Sequence, residues 1–276
     1  MKHDTYDAYS VARTQMAESA LLTAWDSLTA FQDDLVLIGG LAIRYLTPRR
    51  PGTGDIDAVT TDVDFGVSLG VSNGQYGSLR DTLRAQGFRW EERRFRKDIS
   101  GFPVFIDLLT EQPGYTSGTV IVDESLEVAV VPGIGRALAH HRRVVIEGSC
   151  LLGVPRKISV KVAEIGPLLV LKLNAFGGPH GRKAPKDVSD ILHVANRYLD
   201  GIDAAVAGFR AEVAAGNAGA PHALATLKLY FESTEALAPV ACAAFRLNNR
   251  QNEPAFAEQA MLIRQQCVTI AHALLG

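Results

Sequence analysis

The stretch LVLIGGLAIRYL (35–46), followed after a linker by TTDVDFGVSL (60–69), decides the fold. It predicts a strand over Leu35–Ile38, a Gly39-Gly40 turn that opens a helix, and a second strand over 62–69. Proline restricts the residue before it, so the helix ends near Thr47-Pro48. Residues two apart on a strand share a face, which sets the carboxylates of Asp62 and Asp64 side by side, about 7 Å apart at the backbone. Both can then reach one divalent cation or a pair of cations. A glycine turn at a helix N-terminus lets backbone N–H groups approach phosphate oxygens closely. Asp-Val-Asp is common by chance, and Asp55-Ile-Asp57 in the linker competes with it. The hydrophobic run after Asp64 favours the second pair.

A second block follows downstream: LLVLKLNAF (168–176), then Arg182, Lys183 and KDVSDILHV (186–194). Together with LIGGLAIRYL, Arg49, Arg50 and Thr60–Phe65, it makes residues 30–200 resemble the nucleotidyltransferase superfamily of the DNA polymerase β type. Within it, the chain is most similar to the AbiEii-type toxins of bacterial abortive-infection and toxin–antitoxin systems. The resemblance implies an α/β (α+β) fold: a nucleotidyltransferase core over 1–166, with a mixed β-sheet flanked by helices and an N-terminal helix. A helical C-terminal domain over 167–276 follows, with an active cleft between the two. It implies Asp62 and Asp64 as ligands of Mg²⁺ or Mn²⁺, with Gly39, Gly40 and Thr61 at the triphosphate. It also implies Lys172, Lys186, Asp187 and Asp190 on the nucleotide-handling surface. The implied partners are a nucleoside triphosphate, an RNA acceptor such as the 3′ end of a transfer RNA, and a cognate antitoxin.

The run FPVFIDLLT (102–110) reads as a strand with a single charge, Asp107. An acid in an apolar strand costs free energy unless paired or bound to metal. The superfamily's third carboxylate on a neighbouring strand makes Asp107 the candidate that deprotonates the acceptor hydroxyl. Lys172 likewise sits in an apolar helix, where its amine must reach an anion or extend to solvent. Asp187 at the start of the following helix is explained by capping and the macrodipole alone. Lys186 and Asp190 lie four residues apart on one helical face. The loop GGPHGRKAP (177–185) is either a flap over phosphates or a connection between helices.

The chain of 276 residues is 47% hydrophobic with a net charge of −2, which fits a globular protein rather than a disordered one. Basic character is local, in RWEERRFRKD (89–98) and RALAHHRR (136–143), compatible with RNA or triphosphate binding or with solvated edges. Three well-separated cysteines suit a reducing cytoplasm and give no disulfide or zinc pattern. No apolar run reaches the length of a membrane span, and the N-terminus carries no secretory pattern. Residues 6–30 predict an amphipathic helix packed on the sheet, with Val11, Met16, Leu21 and Leu28 inward. Hairpin strands are expected over 118–131, a strand over 157–166, and three helices after residue 202. Two other readings stand beside the RNA-directed enzyme: a small-molecule nucleotidyltransferase of the aminoglycoside type, and a non-catalytic nucleotide-binding protein.

Overall fold

The computed structural model describes residues 3–47, 57–68, 75–99, 101–123, 126–250 and 254–276. Arg49, Arg50 and Asp55 lie outside the described residues. The chain forms two compact units. The sheet unit comprises Val11–Tyr45 and Val59–Glu164; the helical unit comprises Met1–Ser10, Leu46–Ala58 and Ile165–Gly276.

In the sheet unit, helix α1 (Val11–Ser27) leads through a 3₁₀ turn into β1 (Leu35–Ile38) and α2 (Gly39–Leu46). Then come β2 (Asp62–Val67), α3 (Gln75–Ala85), the hairpin β3 (Arg89–Glu91) and β4 (Arg94–Ile99), and β5 (Phe102–Thr110). The unit is completed by β6 (Thr119–Asp123), β7 (Leu126–Val130), α4 (Ile134–Ala139), β8 (His141–Ser149) and β9 (Pro155–Ala163). The strands form one mixed sheet in the order β3-β4-β5-β2-β1-β9-β8, with β7 pairing β5 and β6. β2 runs antiparallel to β1 and parallel to β5, and β1 runs parallel to β9.

The side-chain period of a strand explains how β2 is covered. Val63, Phe65 and Val67 point to one face, and Trp25 of α1 stacks on Phe65 with ring centroids 5.9 Å apart. Asp62, Asp64 and Gly66 point to the other. A β-carbon at Gly66 would stand 2.9 Å from Val36 and 3.2 Å from Ile134 of α4, so glycine lets α4 close over that end of the strand. The first helix packs on the sheet, but it spans Val11–Ser27 rather than 6–30, Val11 is 72% exposed, and the consecutive run Leu21–Trp25 is buried all round rather than on one face.

The helical unit holds α5 (Ile165–Gly177), α6 (Pro185–Arg197), α7 (Ile202–Ala214), α8 (Ala220–Tyr230), α9 (Leu237–Arg246) and α10 (Pro254–Leu275). α5 packs on α6, α7 and α8, and α9 bridges α6 and α10. The sequence reading missed α9, LAPVACAAFR, which is only ten residues long and carries Pro239 in its first turn. Within this unit Tyr6 and Tyr9 pack edge-on against Phe245 of α9, and Thr47 hydrogen-bonds His193 of α6 at 2.9 Å. Cys150, Cys242 and Cys267 are unpaired by disulfides and buried. Among the described residues no helix is long and apolar enough to cross a membrane.

Candidate active site

Strand register assembles an acid cluster in the sheet unit. Asp64 of β2 stands opposite Asp107 of β5, and Asp62 stands opposite Phe105. Asp62, Asp64 and Asp107 therefore share one face. The start of β2 is fastened locally: Thr60 Oγ1 donates to the Asp62 carbonyl at 3.2 Å and accepts from the Asp62 N–H at 3.3 Å. Thr61 Oγ1 donates to Asp62 Oδ1 at 3.0 Å. On the other side, Ile38 pairs with Asp64, and Gly39 follows with φ of +69°. A β-carbon at Gly39 would lie 1.9 Å from Asp64 Oδ2, so only glycine admits both the left-handed turn and the carboxylate.

Arg94 of β4 sits over the cluster. Its Nε donates to Asp107 Oδ1 at 2.9 Å and its Nη2 to Asp107 Oδ2 at 2.6 Å, a bidentate pair. The same Nη2 lies 3.6 Å from Asp62 Oδ2, and the guanidinium stacks 3.9 Å above the Phe105 ring. One cation does not balance three carboxylates. Burial, then the neighbouring charge of Asp64, pushes Asp107 up to about 7, with Asp62 adding to the rise and Arg94 working against it.

The helical unit carries a second polar cluster with the opposite balance. Lys172 Nζ of α5 reaches Asp190 Oδ2 at 2.6 Å and Asp187 Oδ1 at 3.2 Å. Lys186 Nζ reaches Asp190 Oδ2 at 2.7 Å, the i,i+4 pair expected on α6. Arg182 holds Asp187 through Nε at 2.9 Å and Nη2 at 3.0 Å. All but Arg182 are buried. Burial opposes the charge of Lys172, but Asp190 and then Asp187 hold its amine above the usual lysine range. Burial likewise opposes ionisation of Asp190, and Lys172 followed by Lys186 keeps its carboxylate below the usual range.

The predicted site residues thus fall into two groups. Gly39, Gly40, Thr61, Asp62, Asp64 and Asp107 gather at the β1–α2 turn and strands β2 and β5. Lys172, Lys186, Asp187 and Asp190 gather between α5 and α6 of the helical unit. Asp187 is not the cap of α6: the helix begins after Ala184 without a side-chain cap, and the Asp187 carboxylate engages Arg182 and Lys172. The 177–185 loop is stitched to α5, with Arg182 N–H donating to Ala175 O and Lys183 N–H to Phe176 O. Asp57 belongs to the helical unit, where its backbone N–H donates to Tyr6 Oη at 3.1 Å. Arg94 is the site residue that sequence reasoning overlooked; the signal was the alternation Arg94-Phe95-Arg96, which marks one polar and one buried strand face.

Among the described residues no group of three or more His, Cys, Asp or Glu side chains is disposed to hold a metal ion by itself. Asp107 has both oxygens on Arg94. Asp62 and Asp64 nevertheless suit Mg²⁺, which commonly takes one or two carboxylates and completes its shell with water and substrate phosphates. The excess of carboxylates, partly offset by a guanidinium, is the charge pattern that a further cation relieves.

A mixed sheet with an acid cluster beside a glycine turn defines a candidate phosphoryl-handling α/β unit. The family model described as nucleotidyl transferase AbiEii toxin, type IV TA system, matches residues 20–260, and the chain belongs to that family. The match extends beyond residues 30–200, where the motifs lie, into α10. Membership makes the protein a nucleotidyltransferase toxin of a type IV toxin–antitoxin system, for which a cognate antitoxin is implied. None of the curated proteins compared with the chain matches it.

Proposed function

We propose that the protein moves a nucleoside monophosphate from a nucleoside triphosphate to a hydroxyl of an RNA acceptor, such as the 3′ end of a transfer RNA. The observation that carries this reading is the grouping of Asp62, Asp64 and Asp107 on one face beside the Gly39 turn. In the proposed step the acceptor oxygen bonds to the α-phosphorus, the bond from that phosphorus to the bridging oxygen breaks, and pyrophosphate leaves. Asp107, pushed up to about 7, accepts the proton of the acceptor hydroxyl. Arg94 positions Asp107 by its bidentate grip and lends positive charge to the face where phosphates gather. Gly39 and Gly40 present backbone N–H groups to the triphosphate. Asp62 and Asp64 are the residues that would hold Mg²⁺ or Mn²⁺, which when bound offsets phosphate charge and orients the reacting oxygens.

The second cluster is a buried ionic frame of the helical unit in this reading. Lys172, Lys186, Asp187 and Asp190 form its buried part, and Arg182, whose side chain is 47% exposed, is the member that reaches solvent. The test is label transfer from each α-labelled nucleoside triphosphate, with Mg²⁺ or Mn²⁺, onto total cellular RNA. Label on a discrete RNA band is expected. Label on an added aminoglycoside but not on RNA would replace the acceptor. Nucleotide binding without any transfer would make the chain a binding protein.

A further inference from the structure

The sheet unit has a cavity of about 280 Å³ at its β3 edge, away from the acid cluster, lined by Arg80, Arg84, Gly87, Phe88, Arg89 and Trp90. Among the described residues three arginines and an indole line it, and no acid does. Phe88 is buried and forms part of the floor, and Trp90 is braced edge-on against Phe95 with centroids 4.7 Å apart. The ring is therefore fixed by packing rather than free to rotate.

Strand register relates this cavity to the acid cluster through Arg89 alone. Arg89 pairs with Arg96, and Glu91 with Arg94. Phe95 pairs with Ile106, which puts Arg94 and Arg96 on the face of Asp107 and Phe105. Arg89 shares that face and also lines the cavity. Trp90, which pairs with Phe95, belongs to the opposite face, so the cavity that Arg89 and Trp90 both line wraps around the β3 edge. β3 lies two strand spacings from β5, about 10 Å.

We propose that this cavity is a subsite for a single-stranded segment of the RNA acceptor, with Arg84 and Arg89 on its phosphates and a base stacked against Trp90. The proposal rests on the RNA-directed reading of the acid cluster. A positively charged groove with an aromatic platform is the general means of holding single strands, since every base offers a π-face and every nucleotide a phosphate. The exposed acids nearby do not block it. Arg84 pairs with Asp81 only at 3.7 Å, and Arg89 pairs with Glu91 at 3.0 Å and Asp98 at 2.9 Å. The side chains of Arg84 and Arg89 are 60% and 64% exposed, and ion pairs at such exposure are weak enough to exchange for phosphate. A nucleic acid fits better than an acidic peptide because a carboxylate partner has no use for the indole.

The probe is a fluorescein-labelled twelve-nucleotide single-stranded RNA, titrated into the full chain and followed by anisotropy at several salt concentrations. Binding is read in parallel from tryptophan emission. The chain has two tryptophans, and Trp25 is 1% exposed in the core, so quenching on binding reports Trp90. The double variant Arg84→Ala, Arg89→Ala is expected to weaken binding about tenfold and to lower the salt slope by about 1.4, which is roughly 0.7 for each phosphate no longer neutralised. Quenching without weakened binding in the double variant, or weakened binding without quenching in the wild-type chain, would overturn the subsite as drawn. RNA binding with unchanged affinity and slope in the variant would remove the subsite and leave the RNA-directed reading standing. No RNA binding by the wild-type chain would overturn both. Equal quenching and equal slope with poly-glutamate would assign the cavity to an acidic polypeptide instead.

Discussion

The acid cluster on the sheet and the ionic cluster between α5 and α6 use the same residue types under opposite charge balances. On the sheet, among the described residues, three carboxylates face one guanidinium, and Asp107 is driven up to about 7 as a result. Between α5 and α6, two carboxylates face three cations, and the shifts of Lys172 and Asp190 both run toward the charged forms. The first arrangement is short of positive charge and gains by binding a cation or a proton. The second is closed, and its ions satisfy one another. Function concentrates where a site is left electrostatically incomplete, and structure where it is completed.

The strongest way to break that contrast is to open the closed cluster. Lys172→Ala leaves Asp187 with Arg182 and Asp190 with Lys186, inside a buried region. The expected loss is about 3–5 kcal/mol of stability in urea unfolding, the usual result of removing one partner of a buried pair. An unchanged midpoint would show that the cluster is not a structural frame.

Next in size is Gly39→Ala. The added methyl meets Asp64 Oδ2 at 1.9 Å, and φ is +69°. Displacing by about 1 Å a carboxylate with the proposed role of Asp64 costs on the order of 10²-fold in rate. Transfer activity is expected to fall by that factor with a much smaller change in the unfolding midpoint. Equal activity would mean that the turn and Asp64 are not coupled.

Arg94→Gln sharpens the contrast from the other side. Asp107 lies above the ordinary 3.8, so the folded protein holds its proton more tightly than the unfolded chain does. The stability that this contributes is complete below about pH 4 and is lost as pH rises to about 7. Arg94 works against the rise, so its removal pushes Asp107 higher, extends that loss to higher pH, and moves the acidic limb of the activity profile upward. Stability above neutral pH falls by about 1–3 kcal/mol, as expected for a charged hydrogen-bonded pair. A limb that stays in place would separate Arg94 from the proton acceptor.

Much of this was legible from local pattern. The hydrophobic run after Asp64 located β2, the apolar run FPVFIDLLT located β5 with Asp107 as its lone charge, and the i,i+4 spacing on α6 anticipated the Lys186–Asp190 pair. What stayed hidden depends on pairing between distant segments. Arg94 looked like one cation of a solvated run until the β4–β5 register set it on Asp107. Asp187 had the position of a cap, and only the return of the 177–185 loop onto α5 gives it Arg182 and Lys172 instead. The helix α9 was hidden by its shortness and by Pro239 in its first turn.

The most direct measurement is single-turnover transfer of an α-labelled nucleoside monophosphate by two isosteric variants, Asp64→Asn and Asp57→Asn, beside the wild-type chain. A fall on the order of 10³-fold is expected for Asp64→Asn, with no loss of stability because a crowding charge is removed, and near wild-type transfer for Asp57→Asn. Full transfer by Asp64→Asn, with transfer abolished in Asp57→Asn, would contradict the assignment of the acid cluster on β2 and β5.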